Sequence, residues 1–348
     1  MTVPTDIRPR TLPHPRGTLS EAVTQVLRAT PGKPVPPARS LDPYSEDLQL
    51  ALHTCYELHY HGFAAVAPEW EWDPGLLTLR AAMETAFLDA MRADVSGGDD
   101  LESELDALLV TPIESTGPSY YLRDEGRWWQ MREYFVHRSI YHHKEADPYA
   151  WAIPRLRGHA KAAFVAVEFD EFGGGRGERV HSRLYAELMA GADLEAGYLH
   201  YLDAVPEPML SLVNMMSLFG LHRSLRGALV GHFATVEITS SPASARLVDA
   251  LRRLDAAPAC VRFYQEHVEA DAVHEQLLRT DVIGDLIAQE PALTKSMVLG
   301  IQATNLLEDR FADHILSAWR AGRSSLRTGP LPAGRRCLGR SERTIRRT

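Results

Sequence analysis

The stretch from Phe263 to Gln276 reads FYQEHVEADAVHEQ. A helix advances about 100° per residue. Measured from His267, Asp271 then lies about 40° around the axis and His274 about 20° the other way. All three share one face with Tyr264 and Val268, while Glu266, Glu269 and Glu275 point elsewhere. A single imidazole on an inward face is ordinarily a hydrogen-bonded core residue. Two imidazoles and a carboxylate along one inward line, at spacings of four and three, have the pattern of metal ligands on a helix.

The same 3–4 periodicity extends outward over most of the chain. It predicts helices in SEDLQLALHTCYELHYHGF from Ser45, where the serine is a candidate N-cap, and in DPGLLTLRAAMETAFLDAMRADV from Asp73, which stops at Ser96-Gly-Gly. GRWWQMREYFVHRSIYHHKEADP, from Gly126, ends at Pro148. PRLRGHAKAAFVAVEFDEF stops at Gly173-Gly-Gly, and RVHSRLYAELMAGADL, MLSLVNMMSLFGLH and SLRGALVGHFATVEITSS follow. One long helix is predicted from Ala257 to Glu290 and a last one from Ala292 to Arg320. No run of alternating β-branched residues is bounded by hairpin turns. The fold class is therefore all-α. Residues 155–321 form its core, with a helical extension at 41–154, a Pro-rich flexible arm at 1–40 and a basic flexible tail at 322–348. The arm carries eight prolines, which remove helix donors, and one short helix is expected at 19–29.

Charge narrows the partners. The first 40 residues carry +4 and the last 27 carry +7, so the body between them holds −20 of a net −9. Such an acidic body excludes nucleic acid as its partner. No segment offers about 18 consecutive apolar residues, so no membrane span is expected. The N-terminus lacks an apolar signal core, and the three cysteines, Cys55, Cys260 and Cys337, are scattered. Both point to a reducing cytoplasm. A homodimer is compatible with the sequence.

Other helices repeat the oddity of the opening stretch. Ala160, Phe164 and Val167 lead to Glu171; Leu184, Tyr185 and Leu188 share their stripe with His181; Leu225, Leu229 and Phe233 lead to Glu237. Unpaired buried charges cost several kcal/mol. Three imidazoles (His181, His267, His274) and three carboxylates (Glu171, Glu237, Asp271) on inward faces therefore call for bound divalent metal. Two ions, each taking a share of imidazole and carboxylate, would keep open positions. A nitrogen and oxygen donor set without thiolate suits iron or manganese better than zinc. Two alternatives stand beside Glu171: Glu168, one turn earlier, and Glu178, which forms an E-x2-H pair with His181. The glycines at 173–177 follow a helix rather than a strand, which argues against a phosphate loop. His137, His142 and His143 could form a metal face of their own but are expected at a surface or a domain junction, and Met215, Met216 and Phe219 as core that lends walls to a pocket.

DEFGGG, VHSRLYAEL, GHFATVEITSS and EHVEADAVHE, in this order, resemble the haem-oxygenase-like diiron oxidases, or iron-containing redox enzymes, over roughly residues 130–320. The resemblance implies a haem-oxygenase-like helical bundle. It implies two non-haem Fe(II) ions per chain that activate O2, with Glu171, His181, Glu237, His267, Asp271 and His274 as ligands. It adds an upstream carboxylate near Glu145, in YHHKEADP. The implied reactions are N-oxygenation, desaturation or C–C cleavage of an amine, an amino acid or a fatty acid. Two other readings remain on the residues themselves: a mononuclear iron or manganese oxidase, and a metal-free helical protein that binds a ligand or partner.

Overall fold

The computed structural model describes residues 10–38, 41–110 and 116–333, with the side chains of 269–273 left outside the description. The chain is all-α, as its periodicity predicts; no strand occurs among the described residues, and none of their helices is long and apolar enough to cross a membrane. The helices are α1 (Thr18–Leu27), α2 (Glu46–Glu57), α3 (Pro74–Asp94), α4 (Leu101–Leu109), α5 (Pro118–Asp124), α6 (Trp128–His142), α7 (Asp147–Ala150), α8 (Gly158–Glu171), α9 (His181–Gly191), α10 (Glu207–Leu221), α11 (Arg226–Arg253), α12 (Pro258–Gln276), α13 (Asp285–Gln289) and α14 (Thr294–Arg320). A π-helical segment, Leu277–Gly284, joins α12 to α13.

Local chemistry sets several of these starts. The Ser45 hydroxyl accepts from the Leu48 N–H, and the Asp73 carboxylate accepts from the Gly75 and Leu76 N–H groups ahead of Pro74. Each satisfies helix-terminal donors that would otherwise lack partners. α11 runs down the centre. It packs against α12 on one flank and α14 on another, with α4, α5 and α10 also touching it. α9 lies on α12, α6 bridges α9 and α10, α8 rests on the π-helical segment, and α2 sits between α1 and α10.

Three features depart from the sequence reading. First, α11 does not end before Pro242 but passes through it to Arg253. The proline costs one backbone hydrogen bond, yet Leu247, Val248 and Leu251 beyond it are buried, and this burial favours continuing the helix. Hydroxyls crowd the approach: Thr239 donates to the Thr235 carbonyl and Ser241 to that of Val268. Second, the long helix predicted for 257–290 widens into a π segment after Gln276. Such segments often mark functional sites. Third, residues 10–38 are not a free arm. α1 lies on α2 with Val23 and Leu27 buried, and Arg16 pairs with Glu46 at 2.6 Å. At the other end, Ser325 donates to the buried Glu133, and Arg132 donates to the Pro332 carbonyl at 2.7 Å. The expected tail beyond residue 333, with Cys337, lies outside the described residues.

α11 and α14 approach so closely that no side chain fits between them. A Cβ added to Gly231 would overlap the Met297 carbonyl oxygen, and one on Gly300 would overlap that of Ala228. Both clashes are with backbone, which cannot swing aside. Gly300→Ala is therefore expected to cost about 3 kcal/mol, at the upper end of overpacking effects. Gly177→Ala, which meets nothing within 4 Å, should change stability by less than about 0.5 kcal/mol. Urea midpoints of the two variants check the contrast; equal midpoints would refute the close crossing.

Candidate metal centre

Five of the side chains singled out in the sequence converge. Glu171 closes α8 and His181 opens α9. Between them Gly173, Gly174 and Gly175 take positive φ values of 73°, 62° and 77°, conformations that favour glycine. This reversal brings the two ends together, and His181 Nδ1 lies 2.7 Å from Glu171 Oε2. Glu237 comes from the middle of α11, and His267 and His274 from one face of α12. Glu145 joins them from the turn after α6. It is buried rather than a surface charge.

The donors fall into two groups of three: Glu145, His181 and His267, and Glu171, Glu237 and His274. Within each group one donor atom per residue lies within 4.8 Å of the others. In the first, Glu145 Oε2 is 3.9 Å from His181 Nδ1 and 3.6 Å from His267 Nε2. In the second, His274 Nδ1 is 3.0 Å from Glu237 Oε2 and 3.9 Å from Glu171 Oε1. The His181–Glu171 contact joins the groups.

Surrounding bonds orient the rings. His267 Nδ1 bonds to the Phe263 carbonyl at 2.8 Å. A carbonyl only accepts, so Nδ1 carries the proton and Nε2 is the ring atom that faces Glu145. His142 Nδ1 holds the other oxygen of Glu145 at 2.8 Å. Asp170 Oδ2 sits 3.2 Å from His274 Nε2, leaving Nδ1 to face Glu237 and Glu171. Histidine and carboxylate partners of this type fix metal ligands elsewhere.

The electrostatics suit a cation. Burial opposes charge on His274, but the hydrogen bond and charge of Glu237, with Glu171 and Asp170, push the imidazole up to about 9. Burial would raise Glu145, yet His142 and His267 outweigh it and hold the carboxyl well below its usual range. Among the described residues no Lys or Arg pairs with Glu145 or Glu171; their ion-pair partners are histidines. Glu145 Oε2 and His181 Nδ1 lie buried with no hydrogen-bond partner. Unsatisfied buried donor atoms facing one another, all nitrogen or carboxylate oxygen, fit a metal of the iron or manganese type.

The remaining candidates separate. Asp271 has its side chain outside the described residues. Glu168 is buried on the inward side of α8 but belongs to neither group, and neither of its oxygens has a hydrogen-bond partner. Burial, then the charges of Glu171 and Glu237, push it up to about 9. Glu178 is exposed beyond the glycine turn and belongs to neither group. The three histidines expected at a surface or junction do not lie at the surface. His137 bonds Ser325, His143 is buried, and His142 supports Glu145. Sequence reasoning set His142 aside as a surface or junction residue and missed Asp170 as a supporting group. The H-x2-E spacing of His142 and Glu145 was the available signal for the first. Asp170, next to Glu171 and off the apolar stripe, offered none.

The turn that presents Glu145 is itself anchored. Lys144 Nζ meets Glu57 Oε2 of α2 at 3.1 Å, both side chains fully buried. The Tyr198 hydroxyl donates to the same oxygen at 2.9 Å, and the ammonium sits 4.2 Å from the Tyr60 ring centroid. The expected helical extension thus reaches into the centre.

A cavity of about 690 Å³ adjoins the donors. Glu145, Glu171, Glu237 and His267 line its floor, while Tyr141, Tyr149, Met216 and Phe233 supply walls. Met215 and Phe219 stay in the core. On the wall, Thr304 Oγ1 donates to the Gly300 carbonyl and so accepts from His232 Nδ1; Nε2 then accepts from the Tyr149 hydroxyl at 3.0 Å. Burial pushes His232 down to about 3, so it is neutral there. Residues 132–309 match the family model described as iron-containing redox enzyme. No curated protein matches the chain.

Proposed function

The chain belongs to the iron-containing redox enzyme family, and from that premise we propose that it is a non-haem diiron oxygenase or oxidase. It would use O2 to oxidise a small metabolite by N-oxygenation, desaturation or C–C cleavage. The observation that supports this most is the pairing of two buried three-donor groups through His181 and Glu171.

Glu145, His181 and His267 would hold one ion, and Glu171, Glu237 and His274 the other. Asp271 is assigned to the same set by its spacing. Bound Fe(II) supplies the one-electron steps that O2 requires and that these side chains lack. The chain's own groups do the rest. His142 and the Phe263 carbonyl fix the carboxylate and imidazole of the first group, and Asp170 fixes His274. The apolar and aromatic walls exclude bulk water and orient the substrate over the donors. The neutral Tyr149–His232 pair adds a wall that carries no charge.

Anaerobic titration with Fe(II), read by metal analysis after desalting, tests the reading. About two irons per chain and a raised melting temperature are the expected result. One iron would shift the reading to a mononuclear oxidase, and none, with manganese also unbound, to a metal-free binding protein. At 100 times the dissociation constant, bound metal should stabilise the fold by about 2.7 kcal/mol.

A further inference from the structure

A series of rings leads away from the donor groups toward solvent. His142, which holds Glu145, has its ring centroid 4.7 Å from that of Tyr185. Phe263, 4.5 Å from the His267 ring, lies 4.9 Å from the same tyrosine. His143 follows, 5.5 Å from Tyr185 and 6.4 Å from Tyr198. It is buried, and neither ring nitrogen bonds a partner among the described residues, so it acts as packing between the two phenols. Tyr198 is half-buried, and its ring lies 4.6 Å from that of His61, which is exposed.

The two phenols differ in where a proton can go. The Tyr185 hydroxyl donates to the Phe135 carbonyl at 2.7 Å, and a backbone carbonyl is too weak a base to take the proton. The Tyr198 hydroxyl donates to the Glu57 carboxylate at 2.9 Å, which can take it. A phenol gives up an electron readily only when its proton leaves with it. An oxidising equivalent therefore passes Tyr185 and rests at Tyr198. Tyr149 also donates to a base, His232, but its ring neighbours His232 and Phe233 are both buried in the core.

We propose that Tyr185 and Tyr198 form a redox path that vents oxidising equivalents from the donor groups to the surface when no substrate consumes them. The inference rests on the proposed oxidase reading for their source. In each event the Tyr198 O–H bond breaks and its proton passes to Glu57 Oε2. Its electron travels through Tyr185 to an oxidised iron of the proposed centre, which is reduced by one electron, and a neutral phenoxyl remains. A soluble one-electron reductant, such as ascorbate, returns the electron at the surface, and Glu57 returns the proton.

The test uses the full chain loaded anaerobically with Fe(II), exposed to O2 without substrate, freeze-quenched and read by electron paramagnetic resonance. Wild type should give a tyrosyl signal that narrows with ring-deuterated tyrosine and disappears with ascorbate. Tyr198→Phe should lower it at least fivefold, Tyr185→Phe should slow its appearance, and Tyr149→Phe should keep it. Peptide mass mapping after repeated O2 exposure should find oxidation products on Tyr198 in wild type, and around the donors in Tyr198→Phe. A thermal melt checks each variant; where one fails to fold, the wild-type map decides, because products confined to the donor residues overturn the proposal. A signal unchanged in Tyr198→Phe overturns it as well. The iron count of wild type is read separately. No bound iron sinks the oxidase reading and the venting path with it, whereas two irons without a Tyr198-dependent signal sink this inference alone.

Discussion

His181→Ala should leave at most one iron per chain where two are expected for the intact protein, and should abolish Fe(II)-dependent oxygen consumption. His181 Nδ1 faces both donor groups, at 2.7 Å from Glu171 and 3.9 Å from Glu145. Its loss removes a proposed ligand from one group and the contact that joins Glu171 to it. Removing a supporting partner of a ligand typically weakens metal binding by about 10–100-fold; loss of a ligand should exceed that range. His142→Ala supplies the comparison. It leaves every donor in place but frees one oxygen of Glu145, and should weaken one ion by about 10–100-fold. Anaerobic titrations with metal analysis read both variants. Two irons bound by His181→Ala at wild-type affinity would refute the assignment.

The second large effect lies outside the donor set. Lys144→Met leaves the Glu57 carboxylate buried without its ammonium. Breaking one side of a buried pair typically costs about 3–5 kcal/mol, whereas replacing both sides with apolar groups is often neutral. The single variant should therefore unfold at markedly lower urea, and Glu57→Leu with Lys144→Met together should regain most of the loss. Because Lys144 precedes Glu145, the single variant should also bind iron more weakly. A wild-type urea midpoint for Lys144→Met would show that the pair does not hold the turn.

Much of this is legible in the amino-acid sequence itself. Long amphipathic helices announce themselves by period, and α3, α6, α10 and α14 lie close to where their apolar stripes put them. The convergence of Glu171, His181, Glu237, His267 and His274 was readable for the same reason: a polar residue on an apolar stripe points at whatever the stripe points at. What escaped was chemistry without a local signature. Lys144 and Glu57 are 87 positions apart, and neither sits in a motif that names the other. The continuation of α11 through Pro242 depends on burial of Leu247 and Leu251 against neighbours distant in sequence. The π-helical widening after His274 has no composition that distinguishes it from the helix before it. α4 and α5 are too short for periodicity to reveal, and they close the cavity near Arg246.

The glycine contact between α11 and α14 sets more than stability. The cavity-lining residues of both helices, 233–247 and 304–312, lie to the same side of that contact. The two rods meet at Gly231 and Gly300 like blades at a pivot, and the chamber occupies the gap between their arms. Arg246 is fifteen residues out from Gly231, a lever arm of about 22 Å. A bulkier residue at the pivot would respace the whole chamber at once. The size of molecule admitted is thus governed partly from a point that no guest ever touches.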